Sequence, residues 1–270
     1  MSGQGLSFLT SDDVELIYDD EGSGRTFLFL HGYSCRRGHW EYQREALLAG
    51  GHRVIALDLR GHGDSQKPQH GQTLARMGQD VRELIEGLGL EQTCLVAHSM
   101  GVSVSLAMFM ISGFEGIERF VNIDQTPKII NDEGWHWGIK GVSWENFYDC
   151  VNFRIKWSDE EQEPSLPPGS AMAEEHWASF DHAAVSKLFL NHFVSDWRDI
   201  LPRISVPTWV VTSRFTSYYD SDHPEGMEWI AKQIPDSRLT IFEHSGHQPH
   251  VSEAAEFNRK LLEFCAVTNK

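Results

Sequence analysis

The chain is poor in basic residues. Its 270 residues contain 23 Lys and Arg against 39 Asp and Glu, which gives a formal net charge of −16. Nucleic acids and anionic membrane surfaces are bound by clustered positive charge, and the sequence has no run of Lys or Arg. We therefore expect neither a nucleic acid nor a membrane as a partner.

Cysteines and long apolar stretches are also scarce. The four cysteines are scattered and form no C-x-x-C pair. The opening sequence, MSGQGLSFLTSDDVELIYDD, lacks the basic and apolar regions of a signal peptide, and no apolar stretch has the length of a membrane span. We expect a cytoplasmic protein whose cysteines are reduced thiols. They are Cys35, Cys94, Cys150 and Cys265.

Short apolar runs alternate with helical patterns along most of the chain. LSFLT and VELIYDD indicate a hairpin, and six later runs indicate strands: TFLFL, HRVIALDL, TCLVAH, FVNID, PTWVV and RLTIF. Helical spacing covers 73–88, 226–234 and 252–264, and an apolar helix is expected over 102–110. This order predicts an α/β fold with a mostly parallel central sheet flanked by helices.

One segment breaks the alternation. Residues 128–197 contain no clean strand pattern but hold six of the nine tryptophans. We interpret the segment as a helical cap inserted into a core formed by 1–127 and 198–270. Most of these tryptophans are expected to pack the cap. The candidates for lining a substrate cavity are Trp135, Trp144 and Trp177, together with His98 beside the site described next.

The stretch LVAHSMGV places Ser99 between a predicted strand and a predicted helix. A serine on such a sharp turn exposes its hydroxyl above the sheet, and the turn tolerates only small residues two positions away on either side. Ala97 and Gly101 meet that requirement. The pattern predicts a nucleophile elbow with Ser99 at its tip.

Two backbone amides are candidates for an oxyanion hole. The Met100 amide follows the serine at a helix N-terminus, where negative charge is stabilised. The strand TFLFL ends in His31-Gly32-Tyr33, one strand-loop-strand unit upstream, and a loop in that position supplies the second amide. We assign that second donor to Tyr33.

The motifs H-G, D-L-R-G-H-G-x-S, A-H-S-M-G and S-G-H occur here in the order found in the α/β-hydrolase superfamily. The chain resembles that superfamily from about Leu6 to Phe264. The resemblance implies a central sheet that carries a Ser-His-acid triad, with the histidine last in the sequence. It specifies the fold and the chemistry of the centre but no substrate.

His247 matches the catalytic histidine of this superfamily, because it lies in S-G-H between the last strand and a helix. It would act as the general base for Ser99. His244 and His250 flank it at intervals of three, which also allows a metal-site interpretation. No cluster of acidic co-ligands accompanies them, so we expect no metal and no other cofactor.

The acid departs from the common pattern of the superfamily. Most members carry it shortly after the strand that reads PTWVV here, but Thr216 occupies that position, and Asp220 and Asp222 come late. Asp124 follows the preceding strand, FVNID, where a minority of the superfamily places the acid. We predict Asp124 as the residue that orients His247.

These residues predict a serine hydrolase for an apolar or aromatic ester, lactone or related small acyl compound. The same Ser-Asp-His spacing resembles that of cofactor-independent dioxygenases that open 3-hydroxy-4-oxoquinoline rings with a His-Asp dyad. In those enzymes tryptophans stand where this chain has Tyr33 and Gln125. A third interpretation is a catalytically inactive, ligand-binding member of the fold. The sequence leaves the oligomeric state open.

Overall fold

A computed structural model of the chain describes residues 3–152, 154, 166–174 and 180–266. Eight strands form one sheet in the order β1-β2-β4-β3-β5-β6-β7-β8. The strands are β1 (Gly3–Leu9), β2 (Glu15–Gly22), β3 (Thr26–Leu30), β4 (Arg53–Leu57), β5 (Thr93–His98), β6 (Ile117–Ile123), β7 (Thr208–Ser213) and β8 (Ser237–Phe242).

The sheet is parallel from β4 to β8 and antiparallel at its other edge. The strands β1 and β2 form the predicted hairpin, and β2 pairs antiparallel with β4. All remaining neighbours pair in parallel. Parallel strands align their carboxyl ends at one edge, where active sites of open α/β sheets form. The prediction of an α/β-hydrolase fold with a mostly parallel sheet is confirmed.

Helices cover both faces of the sheet. They are α1 (Glu41–Ala49), α2 (Leu74–Gly87), α3 (Met100–Ser112), α4 (Phe147–Val151), α5 (Ala171–Glu174), α6 (Ser186–Val194), α7 (His223–Gln233), α8 (Pro249–Ser252) and α9 (Ala254–Ala266). Short 3-10 turns span Arg37–Trp40 and Leu201–Arg203. The helix α7 begins three residues earlier than predicted, since Pro224 is tolerated in the first turn of a helix.

Strand β3 shows how the two faces are packed. Its side chains alternate: Phe27 and Phe29 join the apolar cluster that includes residues of α1 and α9, whereas Leu28 and Leu30 join the cluster that includes α2 and α3. All five residues of the strand are buried. A strand covered on both faces is apolar throughout, which explains why its sequence is a continuous apolar run.

The chain between β6 and β7 runs over residues 124–207 and, in its described part, adds no strand to the sheet. It contains the short helices α4, α5 and α6. The boundaries of a cap at 128 and 197 stay a prediction. Among the described residues, no helix combines the length and the apolar character needed to cross a membrane.

Candidate active site

Ser99 forms the turn between β5 and α3. Its backbone has φ 51° and ψ −124°, a conformation that is costly for a residue with a side chain. The turn is held by the Ser99 amide, which donates to the carbonyl of Ile123 at 3.0 Å, and by the Val102 amide, which donates to the Ser99 carbonyl at 2.8 Å. Strained backbone that is fixed in this way is characteristic of functional positions.

Two glycines allow the elbow to pack against the loop after β3. A Cβ atom on Gly101 would lie 2.5 Å from the carbonyl oxygen of Leu30 and 2.8 Å from that of His31. A Cβ atom on Gly32 would lie 3.1 Å from the Cβ of Ser99. The predicted small residue after the serine, Gly101, is therefore required by close contact between two backbone segments.

The two candidate oxyanion donors lie on these segments. Met100 is the first residue of α3, and amides in the first turn of a helix have no intrahelical acceptor. Tyr33 follows Gly32, and its buried ring stacks on Phe189 of α6 with ring centroids 4.3 Å apart. Met100 and Tyr33 are thus the chain neighbours of Ser99 and Gly32, the two residues that approach each other closely.

His31 fixes the loop that carries Tyr33. Its Nε2 accepts a hydrogen bond from the Leu59 amide at 3.0 Å, so Nδ1 carries the proton and donates to the Gly32 carbonyl at 2.7 Å. Burial lowers the pKa of His31 to about 3. The ring therefore stays neutral in this tautomer and serves as a structural connection between the loops after β3 and β4.

Asp124 and His247 are in direct contact. Asp124 follows β6, is fully buried, and has a positive φ of 53°. Its Oδ2 lies 2.8 Å from Nδ1 of His247, which is 6% exposed in the loop after β8. A carboxylate in this position accepts a hydrogen bond from Nδ1–H and so leaves Nε2 as the basic nitrogen of the ring.

The other carboxylate oxygen of Asp124 has two further donors. Thr212 donates its hydroxyl to Oδ1 at 2.7 Å, and Nε2 of His223 lies 3.1 Å from the same oxygen. Burial by itself raises the pKa of Asp124, but the His223 ring and the hydrogen bonds from His223 and His247 outweigh burial and hold the pKa well below its usual range. These contacts therefore favour the ionised carboxylate of Asp124.

Asp220 and Asp222, the alternative acids, have other partners. Asp220 is exposed and lies 3.9 Å from Nζ of Lys140, and the half-buried Asp222 lies 3.9 Å from Nε2 of His136. Of the three carboxylates considered, the structure brings only Asp124 to His247.

His98 packs behind His247. It is 2% exposed, its Nε2 donates to the His247 carbonyl at 3.0 Å, and its ring lies 4.7 Å from the rings of both His247 and His250. Burial, with the neighbouring His250 and His247, lowers the pKa of His98 well below its usual value. His98, named above as a cavity residue, thus lies in the packed interior and supports the loop that carries His247.

The three histidines considered as metal ligands do not converge. His244 is exposed, His247 contacts Asp124, and His250 is buried against Trp40 with ring centroids 4.7 Å apart. Among the described residues, no group of three or more His, Cys, Asp or Glu side chains is arranged to hold a metal ion.

The tryptophans proposed for the cavity lie in three different settings. Trp135 is 2% exposed and packs edge-on against Trp137 and Trp229. Trp144 is 49% exposed at the surface. Trp177 lies outside the described residues.

Three residues of this centre were not identified from the sequence. Thr212 and His223 complete the surroundings of Asp124, and the half-buried ring of Tyr218 lies 4.6 Å from the ring of His247. All three belong to β7, to α7 or to the loop between them. One feature of the sequence pointed to this region: the acid follows β6 and not β7. Residues of the β7 region, where other members of the superfamily have their acid, therefore surround Asp124 instead.

The sheet order, the strained serine turn and the buried His-Asp pair define the α/β hydrolase fold as the class. The sequence profile described as the alpha/beta hydrolase family matches residues 27–260, and the chain belongs to this family. It is similar to a non-heme chloroperoxidase of Kitasatospora aureofaciens, with 28% identity over 94% of this chain and 97% of that protein.

Solved structures agree with this assignment. An esterase from Exiguobacterium antarcticum superimposes with a TM-score of 0.86 at 24% identity, covering 98% of this chain and all of the esterase. A thermophilic esterase from Thermogutta terrifontis gives a TM-score of 0.77 at 26% identity, covering 97% of this chain and 98% of that chain. The relatives are enzymes of different named activities, so they establish the fold and the enzyme family without specifying the substrate.

Proposed function

We propose that the protein is a serine hydrolase in which Ser99, His247 and Asp124 form the catalytic triad. The observation that carries the proposal is the 2.8 Å contact between Asp124 Oδ2 and His247 Nδ1, at the sheet edge where the Ser99 turn ends β5. The two esterase structures are consistent with this assignment but do not test it.

The first half of the reaction forms an acyl-enzyme. The Ser99 oxygen attacks the carbonyl carbon of the substrate while His247 Nε2 takes the serine proton. The charge that develops on the carbonyl oxygen is stabilised by the amides of Met100 and Tyr33. The bond to the leaving group then breaks, and the imidazolium of His247 gives its proton to the departing oxygen.

The second half returns the enzyme to its starting state. Water attacks the acyl carbon, His247 accepts a proton from that water, and the bond between Ser99 and the acyl group breaks. The proton returns to the Ser99 oxygen and the carboxylic acid leaves. Throughout, the Asp124 carboxylate keeps the imidazole in the tautomer that has its proton on Nδ1 and stabilises the imidazolium when it forms.

The surroundings of the centre favour an apolar or aromatic acyl substrate. The half-buried Tyr218 ring lies against His247, and the half-buried Phe180 ring contacts the Tyr33 ring at a centroid distance of 5.3 Å. Aromatic surfaces contribute binding energy to flat or apolar groups, whereas the net charge of −16 disfavours polyanions. We extend the proposal to small esters and lactones with such groups.

The test compares wild type with Ser99→Ala and His247→Ala on aryl esters such as phenyl acetate and p-nitrophenyl butyrate. Removing either the nucleophile or the base is expected to lower kcat by at least about 10³-fold. Ser112→Ala, a matched serine substitution at the far end of α3, should leave kcat unchanged. Organophosphate labelling should modify Ser99 in wild type and fail in Ser99→Ala.

A parallel assay measures oxygen uptake with a 3-hydroxy-4-quinolone. A ring-opening dioxygenase would consume oxygen, retain most activity in Ser99→Ala and lose it in His247→Ala. That result, or the absence of any covalent adduct on Ser99, would overturn the hydrolase proposal. Full ester hydrolysis by His247→Ala would show that another group is the base.

A further inference from the structure

His223 is a second histidine on the carboxylate of Asp124. It begins α7, is 1% exposed, and lies 3.1 Å through Nε2 from Asp124 Oδ1. Its ring stacks on Tyr219 with centroids 3.8 Å apart and an interplanar angle of 2°. The ring plane is therefore fixed by packing, and Nε2 is directed at a single acceptor.

The direction of the hydrogen bond follows from the chemistry of the pair. An ionised carboxylate only accepts, so Nε2 of His223 carries the proton and donates it to Oδ1. The other ring nitrogen, Nδ1, is buried and has no hydrogen-bond partner among the described residues. A buried polar atom without a partner costs free energy. The ring is thus oriented for the single bond to Asp124.

The local chain geometry explains why the Asp124 side chain needs the hydrogen bond from His223. The residue follows β6 with φ 53°, and its own amide donates to the Val211 carbonyl of β7 at 2.8 Å. These backbone features fix the Cα position but not the side-chain torsions of Asp124, which depend on the hydrogen bonds to its carboxylate. Rotation by a fraction of a turn would remove Oδ2 from Nδ1 of His247.

We infer that His223 is a positioning residue: together with Thr212 it holds Oδ1, so that Oδ2 of Asp124 stays aligned with Nδ1 of His247. The inference rests on the triad of the proposed function. His223 acts through Asp124 alone and contacts no reacting atom. Its removal is therefore expected to slow turnover while leaving substrate binding almost unchanged, since only the stabilisation of the His247 imidazolium is weakened.

The experiment compares two substitutions at this position with a control next to β4, which is separated from β7 by three strands of the sheet. His223→Phe keeps an aromatic ring against Tyr219 but removes the donor, whereas His223→Gln keeps an amide donor near the position of Nε2. His52→Phe is the matched control, because His52 is half-buried against Phe27 just before β4. Thermal unfolding verifies that each variant is folded, and His223→Leu replaces the Phe variant if that variant does not fold.

Steady-state kinetics and one proton resonance are measured. His223→Phe should lower kcat on an aryl ester by about 10- to 100-fold with KM within about twofold of wild type, as expected for the loss of one hydrogen bond to a charged group. His223→Gln should recover most of that loss, and His52→Phe should match wild type. In ¹⁵N-histidine-labelled protein, the downfield proton resonance of the His247–Asp124 bond should be lost or broadened in His223→Phe and present in His223→Gln.

Retention of that resonance and of kcat in His223→Phe would overturn the inference. An equal loss in the Phe and Gln variants would also overturn it, since the donor would then not be the feature that matters. If wild type hydrolyses no ester, the proposed function fails, but the resonance still tests the positioning of Asp124 independently. The two failures are therefore distinguishable.

Discussion

The close packing behind the nucleophile makes Gly101→Ala a sensitive test of the site geometry. The added Cβ atom would meet the Leu30 carbonyl oxygen at 2.5 Å, about 0.9 Å inside the 3.4 Å at which ordinary contacts begin. The groups that this Cβ would meet, the carbonyls of Leu30 and His31, belong to the backbone. The clash can therefore be removed only if the start of α3 shifts relative to the loop that carries Tyr33. Overpacking of this kind costs about 1–3 kcal/mol of unfolding free energy.

The same shift separates Ser99 from the candidate oxyanion donors. A displacement of about 1 Å in a catalytic constellation can reduce turnover by about 10²-fold. We expect Gly101→Ala to lower kcat on an aryl ester by about that factor and to lower the midpoint of thermal unfolding by several degrees. Gly134→Ala is the matched control, because the nearest atom to its Cβ would be 3.7 Å away. A Gly101→Ala protein with the stability and kcat of wild type would refute the inferred contact.

Three further outcomes are expected. Asp124→Asn should lower kcat by about 10³–10⁴-fold in a steady-state ester assay, because the amide no longer fixes the His247 tautomer; a loss under tenfold would contradict the assignment of the acid. Thr73→Ala should cost about 1 kcal/mol in urea unfolding, since its hydroxyl accepts the Arg76 amide at 3.2 Å at the start of α2, and no change would exclude that cap. Burial lowers the pKa of four histidines to about 3: His31, His62, His192 and His250. Below pH 6.5 the unfolded chain binds protons that the folded protein does not, so each of these histidines should reduce the unfolding free energy by on the order of 1 kcal/mol per pH unit down to about pH 3. Unfolding measured at pH 7 and pH 5 checks this, and greater stability at pH 5 would contradict it.

Most of the sheet could be predicted because its strands are buried on both faces. The runs TFLFL and TCLVAH coincide with β3 and β5, all of whose residues are buried. The helix α1 was not predicted, since its nine residues carry only a short apolar pattern and bury only Gln43 and Leu47. Burial of whole segments leaves a clear mark on the sequence, whereas a short surface helix does not.

Residues of the centre could be predicted only where a reactive residue type stands at a recognisable position in the sequence. Ser99 and His247 stand in motifs, and Asp124 was chosen because the usual acid position holds Thr216. His223 has no such mark: it reaches Asp124 across 99 positions of the chain, and only the packing of α7 against β7 brings the two together. In the sequence, His223 precedes a proline and an acidic residue, a pattern that predicts only the start of a helix.

The pairing of β5 with β6 has a consequence for engineering the protein. His98 of β5 and Ile123 of β6 are paired in the sheet. Ser99 follows His98 and Asp124 follows Ile123, so this one pair sets the spacing between two residues of the proposed triad. Because Asp124 follows β6, the loop after β7 does not have to supply the acid. Phe215 in this loop is 51% exposed. Substitution of Phe215 should therefore leave the spacing between Ser99 and Asp124 unchanged, whereas a change in the length of this loop would displace Tyr218 and His223 from His247 and Asp124.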